Sequence, residues 1–262
     1  MKKKLALISL LGVMLCLCSC TKKDTPKSIN DKESTASDSL EVSSNSTDAS
    51  SNSEDVSSTE ENTGPTLTYL GQASTKITTS KGTVIYIDPY YYKGDYSASA
   101  DIILITHDHS DHNKDSLCTK SDDCQLITAK TALVDDVYQT FTIEDVKVEA
   151  VPAGGNNNHP IGSGVGYILT FDDLTLYQAG DTSYIEEMDL LADRNLDYAL
   201  FPIDGKYNMD AVEATRVAEI VGAKNSIPIH EFDSNGSHKA DDFTPENALK
   251  LDYGETIPLS SR

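Results

Sequence analysis

The apolar run Ile102-Ile103-Leu104-Ile105-Thr106 leads straight into His107-Asp108-His109-Ser110-Asp111-His112. A run this apolar reads as a strand buried on both faces, and the cluster marks the point where it leaves the core. The junction recurs downstream. Ala179-Gly180-Asp181 follows the strand-like Leu174–Gln178, and His230 closes Ile227-Pro228-Ile229. His159 follows Val146–Val151 and a short loop. Five of the six histidines therefore fall beside strands, and only His238, in Ser-Asn-Gly-Ser-His-Lys, reads as a solvated side chain. A fold that makes use of them must gather its loops at one edge of its sheets. Imidazoles and carboxylates placed there are the donors that zinc or a similar divalent ion requires. His107 and His109 are two residues apart and can converge, while Asp111 and His112 can face a second ion. His159, Asp181 and His230 are candidates to complete both.

The rest of the region from Gly64 to Arg262 is long enough for one domain with a substantial core. Strands are expected at 67–70, 75–79, 83–87, 101–106, 126–128, 146–151, 165–171, 174–178, 198–202, 226–229 and 256–259. Asp172-Asp173 reads as a two-residue hairpin turn. Helices are expected near 130–138, 184–191, 210–221 and 245–251. In the third, Ala214, Val217, Ala218 and Val221 form one apolar stripe, with Asp210 as N-cap. In the last, Pro245 fits a first turn. This order suggests an α/β (α+β) arrangement, two sheets face to face with helices outside.

Residues 1–20 have the layout of an export signal, with Lys2, Lys3 and Lys4 before an apolar stretch from Leu5 to Leu17. The stretch is short for a membrane span. Its end, Leu17-Cys18-Ser19-Cys20, resembles a bacterial lipobox. That implies lipid on Cys20 and a protein held on the extracytoplasmic face of a bacterial membrane; an ordinary cleaved signal is the alternative. Thr21–Thr63 is dominated by Ser, Thr, Asn, Asp and Glu, and is expected to be a disordered tether because it cannot bury enough surface to offset its ordering entropy. The formal charge is −21, and residues 1–20 contribute +3, which leaves −24 on the remainder. Such a balance argues against a nucleic-acid partner. Cys118 and Cys124 could close a short disulfide loop in an exported protein or remain free thiols.

Several segments together are similar to the metallo-β-lactamase superfamily, in the branch of metal-dependent hydrolases resembling L-ascorbate-6-phosphate lactonase. They are Thr68-Tyr69-Leu70-Gly71, Ile87-Asp88-Pro89, Thr106 to His112, Val151-Pro152-Ala153, Ala179-Gly180-Asp181-Thr182, Phe201 to Met209 and Ile227-Pro228-Ile229-His230. The resemblance implies a four-layer αββα sandwich with the site at one edge. It implies one ion on His107, His109 and His159, another on Asp111, His112 and His230, and Asp181 bridging both. The nucleophile would be a water or hydroxide between the ions, with Asp111 orienting it or relaying a proton. The ions would be zinc, with manganese or iron(II) as alternatives.

The chain departs from the branch at Gly71-Gln72, where Gly-His is usual, and at Asp204-Gly205, where Gly-Gly is usual. The Asn-rich loop Gly154 to Asn158 is its own. Gln72, Lys206 and Tyr207 are candidate substrate contacts, and Tyr90, Tyr91 and Tyr92 either rim the cleft or pack an edge. Asp88 either orients a ligand histidine or shapes the turn with Pro89. The expected function is hydrolysis of a lactone or other ester in a small-molecule substrate. A phosphodiesterase and a non-catalytic binding lipoprotein are the rivals. Neither the oligomeric state nor the substrate follows from the sequence.

Overall fold

Strands that are apolar on both faces form the interior of two six-stranded sheets. The structure is a computed structural model and describes residues 64–90, 94–231 and 240–261. The export signal with Cys20, the tether, Tyr91, Tyr92 and His238 lie outside these residues.

The first sheet contains β1 (Thr66–Gly71), β2 (Ser74–Thr78), β3 (Val84–Ile87), β4 (Ala100–Ile105) and β5 (Lys120–Thr128) in sequence order. Strand β14 (Thr256–Pro258) returns to pair with β1 at its edge. The second sheet runs β13-β12-β11-β10-β9-β8. Its strands are β8 (Thr140–Ile143), β9 (Val146–Pro152), β10 (Val165–Phe171), β11 (Leu174–Gln178), β12 (Tyr198–Pro202) and β13 (Asn225–Ile229). In β4, Ile102 and Leu104 face the other sheet, while Ile103 and Ile105 face outward under a cover of Tyr96 and Cys118. Burial on both faces is why the strand reads as an unbroken apolar run.

The core between the sheets includes Ile77, Ile85 and Leu104 from the first and Val148, Leu169, Leu176 and Ile227 from the second, all fully buried. Outside the second sheet lie α2 (Ala211–Val221) and the 3₁₀ segment Glu186–Arg194, which cover Tyr177, Ala199 and Phe201. Ala214, Val217, Ala218 and Val221 are buried as the stripe requires. Asp210 caps the helix by accepting from the Glu213 N–H at 2.7 Å, and Gly222 ends it in a left-handed conformation. The sandwich is as expected, with sparse outer helical layers.

Three expected helices differ. The segment at 130–138 holds only α1 (Ala129–Ala132), then a hairpin of β6 (Leu133–Val134) and β7 (Val137–Tyr138). Asp135 and Asp136 have φ of 50° and 62°, the pair of positive values that a tight two-residue hairpin turn needs. Asp172 and Asp173, at 47° and 58°, make the turn between β10 and β11 as read from the sequence. The segment at 184–191 is helical but 3₁₀. No helix forms at 245–251, because Ser226 of β13 takes this backbone into its own pairing, donating to the Asn247 carbonyl and accepting from the Leu249 N–H. Cys118 and Cys124 are free thiols. Burial pushes the Cys118 thiol up to about 12.

Candidate metal centre

Strands β3 and β4 run parallel, as do β11, β12 and β13. Two antiparallel steps relate β1 to β3, and two more relate β9 to β11, so these strands share direction within their sheets. Each candidate residue follows the carboxyl end of one of them. Gln72 follows β1, Asp88 follows β3, His107 to His112 follow β4, and His159 follows β9. Asp181, Asp204 and His230 follow β11, β12 and β13. Strand carboxyl ends are where α/β folds place ligands, because loops there can converge.

Asp88 is fully buried and shapes the cluster. Its carboxylate accepts from the Thr106 N–H at 2.7 Å and the Thr106 hydroxyl at 2.6 Å, and it meets His112 Nδ1 at 2.8 Å. It therefore fixes the start of the loop and holds His112 with Nε2 directed elsewhere. Asp88 also has φ 47°, so the two roles considered for it coexist. Thr106 Oγ1 lies 3.1 Å from His107 Nδ1. Gly180 is required where it stands. A Cβ on it would come within 2.9 Å of the Val165 carbonyl and 3.0 Å of Thr106 Cβ, at φ +66°.

Asp181 occupies the centre. Its carboxylate lies 3.3 Å from His112 Nε2, 3.4 Å from His159 Nε2, 3.5 Å from His230 Nε2 and 3.9 Å from His107 Nε2. Donor atoms converge in three groups: His107, His109 and His159; Asp111, His112 and His230; and His107, His112 and Asp181. Within each, one atom per residue lies within 4.8 Å of the others, close enough to share an ion. His107 Nε2 is buried and makes no hydrogen bond, as a lone pair reserved for a cation would be. The donor set therefore fits divalent metal.

The electrostatics divide along the same line. Burial and the neighbouring His112 push His107 down to about 3, and burial lowers His159. Burial also opposes charge on His112 and His230, but carboxylates outweigh it. Asp181 and Asp88 hold His112 well above the usual imidazole value, and Asp181, Asp111 and Asp204 hold His230 at about 10. Asp181 is buried, which favours its neutral form, yet His112 and His230 keep it well below the usual carboxylate range.

Beside the donors lies a cleft of about 610 Å³, walled by Tyr90, Ser110, Asn157, Asn158 and Tyr207. Of the proposed substrate contacts, Tyr207 is half-exposed on this wall. Lys206 lies 4.6 Å over the Tyr207 ring and is not on the wall. Gln72 is turned onto the donors, with Nε2 3.2 Å from Asp111 Oδ2 and 2.8 Å from His230 Nε2. Tyr90 is fixed through its main chain, since the Tyr96 hydroxyl donates to its carbonyl at 2.7 Å and accepts from its N–H at 3.0 Å.

Two residues organise the site without having been assigned a role from sequence. Asp204 lies 3.2 Å from His230 Nδ1 and also accepts from the Lys206 and Tyr207 N–H groups at 2.8 and 2.7 Å. Its position just beyond β12 was the available signal. Asn156 accepts from the Asn158 and His159 N–H groups, both at 2.9 Å, and donates to the Tyr207 carbonyl and Ser183 Oγ, both at 3.1 Å. It locks the His159 loop to the opposite wall.

The family model of the Beta-lactamase superfamily domain matches residues 66–230, a span that contains every donor above. A metal-dependent hydrolase of Pyrococcus furiosus is 32% identical over 189 residues, covering 63% of this chain and 83% of that protein. Another from Oenococcus oeni is 32% identical over 195 residues, covering 63% and 84%. Among solved structures, a protein of Parabacteroides distasonis described as a metal-dependent hydrolase superposes with TM-score 0.60 at 31% identity, covering 71% of this chain and 90% of that one. The metallo hydrolase Igni18 of Ignicoccus hospitalis shares the fold, with TM-score 0.62 at 20% identity and coverage of 76% and 99%. The strand-end donors, the sandwich and these relatives agree: the chain belongs to the metallo-β-lactamase superfamily, among its metal-dependent hydrolases.

Proposed function

We propose that the protein is a lipid-anchored, extracytoplasmic hydrolase that uses two divalent ions, zinc foremost, to cleave a lactone or other ester of a small molecule. The observation that carries the two-ion reading is the pair of three-residue donor groups on either side of one buried carboxylate, Asp181. His107, His109 and His159 would hold one ion, Asp111, His112 and His230 the other, and Asp181 both. When bound, the ions supply a water acidic enough to attack near neutral pH and a charge that polarises the carbonyl.

The chain's own groups do the rest. Asp111, half-buried at the cleft, orients the attacking water and takes up its proton. Asp88 and Asp204 hold His112 and His230 with Nε2 toward the centre. Tyr90, Asn157, Asn158 and Tyr207 offer phenol and amide surfaces to the substrate. Among the described residues the cleft wall carries no Lys or Arg, which favours an ester carbonyl over a phosphodiester. The anchor rests on Leu17-Cys18-Ser19-Cys20, and the Ser- and Thr-rich segment behind it would let the domain stand off the membrane.

The deciding experiment is a screen of metal-loaded protein against uncharged lactones and aryl esters, phosphodiesters and β-lactams. Turnover of the first class alone supports the proposal. Turnover confined to phosphodiesters would replace it with the rival chemistry, and none in any class despite full metal loading would favour a binding protein.

A further inference from the structure

Gln72 stands at the turn between β1 and β2 with φ 56°, in the left-handed region. Its carbonyl is held twice, by the Tyr69 hydroxyl at 2.9 Å and by the His230 N–H at 2.7 Å. A backbone pinned in this way fixes where the side chain starts. The amide then reaches Asp111 Oδ2 at 3.2 Å and His230 Nε2 at 2.8 Å. These two residues belong to one donor group, the one completed by His112.

His230 Nδ1 faces Asp204, so Nε2 is the nitrogen left for an ion. A lone pair cannot serve an amide N–H and a cation at once. The Gln72 amide lies within 3.2 Å of Asp111 Oδ2 and 2.8 Å of His230 Nε2, so in either orientation it stands where an ion shared by the two would. The other histidine group differs: His109 Nδ1 and His159 Nε2, 3.1 Å apart, meet each other, and Thr106 Oγ1 meets His107 at Nδ1, which leaves His107 Nε2 clear.

We propose that Gln72 is an internal competitor for Asp111 and His230. It makes Asp111–His112–His230 the weaker of the two ion sites, so that the protein loads His107–His109–His159 first. The second ion enters only when the Gln72 side chain turns aside. This rests on the two-ion reading above. The competition is specific to one site, so removing the amide tightens one binding step and leaves the other alone. Loss of about one net hydrogen bond corresponds to a gain on the order of tenfold.

The test is calorimetric titration of the metal-free protein with Zn²⁺, with chelator competition for the tighter step, in the wild type, Gln72→Ala and Gln72→Asn. Asparagine tolerates the left-handed backbone and is too short to reach both donors, so it controls for strain introduced by alanine. Thermal melting of each metal-free variant checks the fold. The proposal expects two steps in the wild type, with the second tightened roughly tenfold in both variants and the first unchanged. A wild type that stops at one ion while Gln72→Asn accepts two would support it equally. Two steps with constants unmoved by either substitution, or a second step weakened by them, would overturn the proposal and leave the two-ion reading standing. One ion in all three proteins would overturn both.

Discussion

The two donor groups differ in what stands behind them. His107 is backed by the Thr106 hydroxyl, and His159 depends on an Asn156-pinned loop. His112 and His230 are each backed by a buried carboxylate, Asp88 at 2.8 Å and Asp204 at 3.2 Å. A carboxylate behind an imidazole makes it a stronger donor to a cation and also a stronger base toward a proton. One half of the centre is therefore backed by uncharged groups, the Thr106 hydroxyl and the Asn156 amide. The other is richer in charge and covered by the Gln72 amide. Among the described residues, Asp181 is the carboxylate that approaches histidines of both groups.

Perturbing the shared element should have the largest effect. Asp181→Ala removes the carboxylate from both halves. Turnover is expected to fall by more than the roughly 10–100-fold typical of outer partners, and bound metal to drop below that of the wild type in both steps. Metal analysis and kinetics on the same sample check this, and retention of one full-strength step would break the symmetry assigned to Asp181.

Asp204→Asn strikes one half only. It should weaken the second ion by about 10–100-fold and spare the first. Equal weakening of both steps in a titration would show that the halves are not separable. Asn156→Ala is the counterpart for the other half, because it leaves the Asn158 and His159 N–H groups without their acceptor. The first step should weaken by about tenfold with the second intact. Asn156→Asp keeps the acceptor and should restore much of the loss; failure to do so would assign the effect to the Ser183 and Tyr207 contacts. Ser110→Ala should matter least. Ser110 is exposed in the turn and ligates neither half, so kcat/KM should stay within about twofold. A trapped acyl-enzyme at Ser110 would instead make it the nucleophile.

Much of the centre was legible in the sequence because every donor follows a strand that reads clearly. β4 and β12 are apolar on both faces and leave little ambiguity about where the chain emerges. What stayed hidden depends on contacts distant in the chain. Asp204 acquires its role only when β12 and β13 lie side by side and bring His230 to it. Nothing local to Gln72 reveals that its carbonyl is tied to His230 or that its amide reaches Asp111. Near 130–138, Leu133, Val134 and Val137 suit a helix as well as a hairpin, and the deciding signal is Asp135-Asp136, the same dipeptide that makes the turn at 172–173. At 245–251 the local preference after Thr244-Pro245 was overridden by hydrogen bonds to Ser226.

In the proposed centre the two donor groups hold one ion each around Asp181. Anomalous diffraction at the zinc edge from metal-loaded crystals tests it most directly. Two peaks are expected, one among His107, His109 and His159 and one among Asp111, His112 and His230, with the Asp181 carboxylate between them. A single fully occupied peak at saturating zinc, or peaks away from these residues, would contradict it.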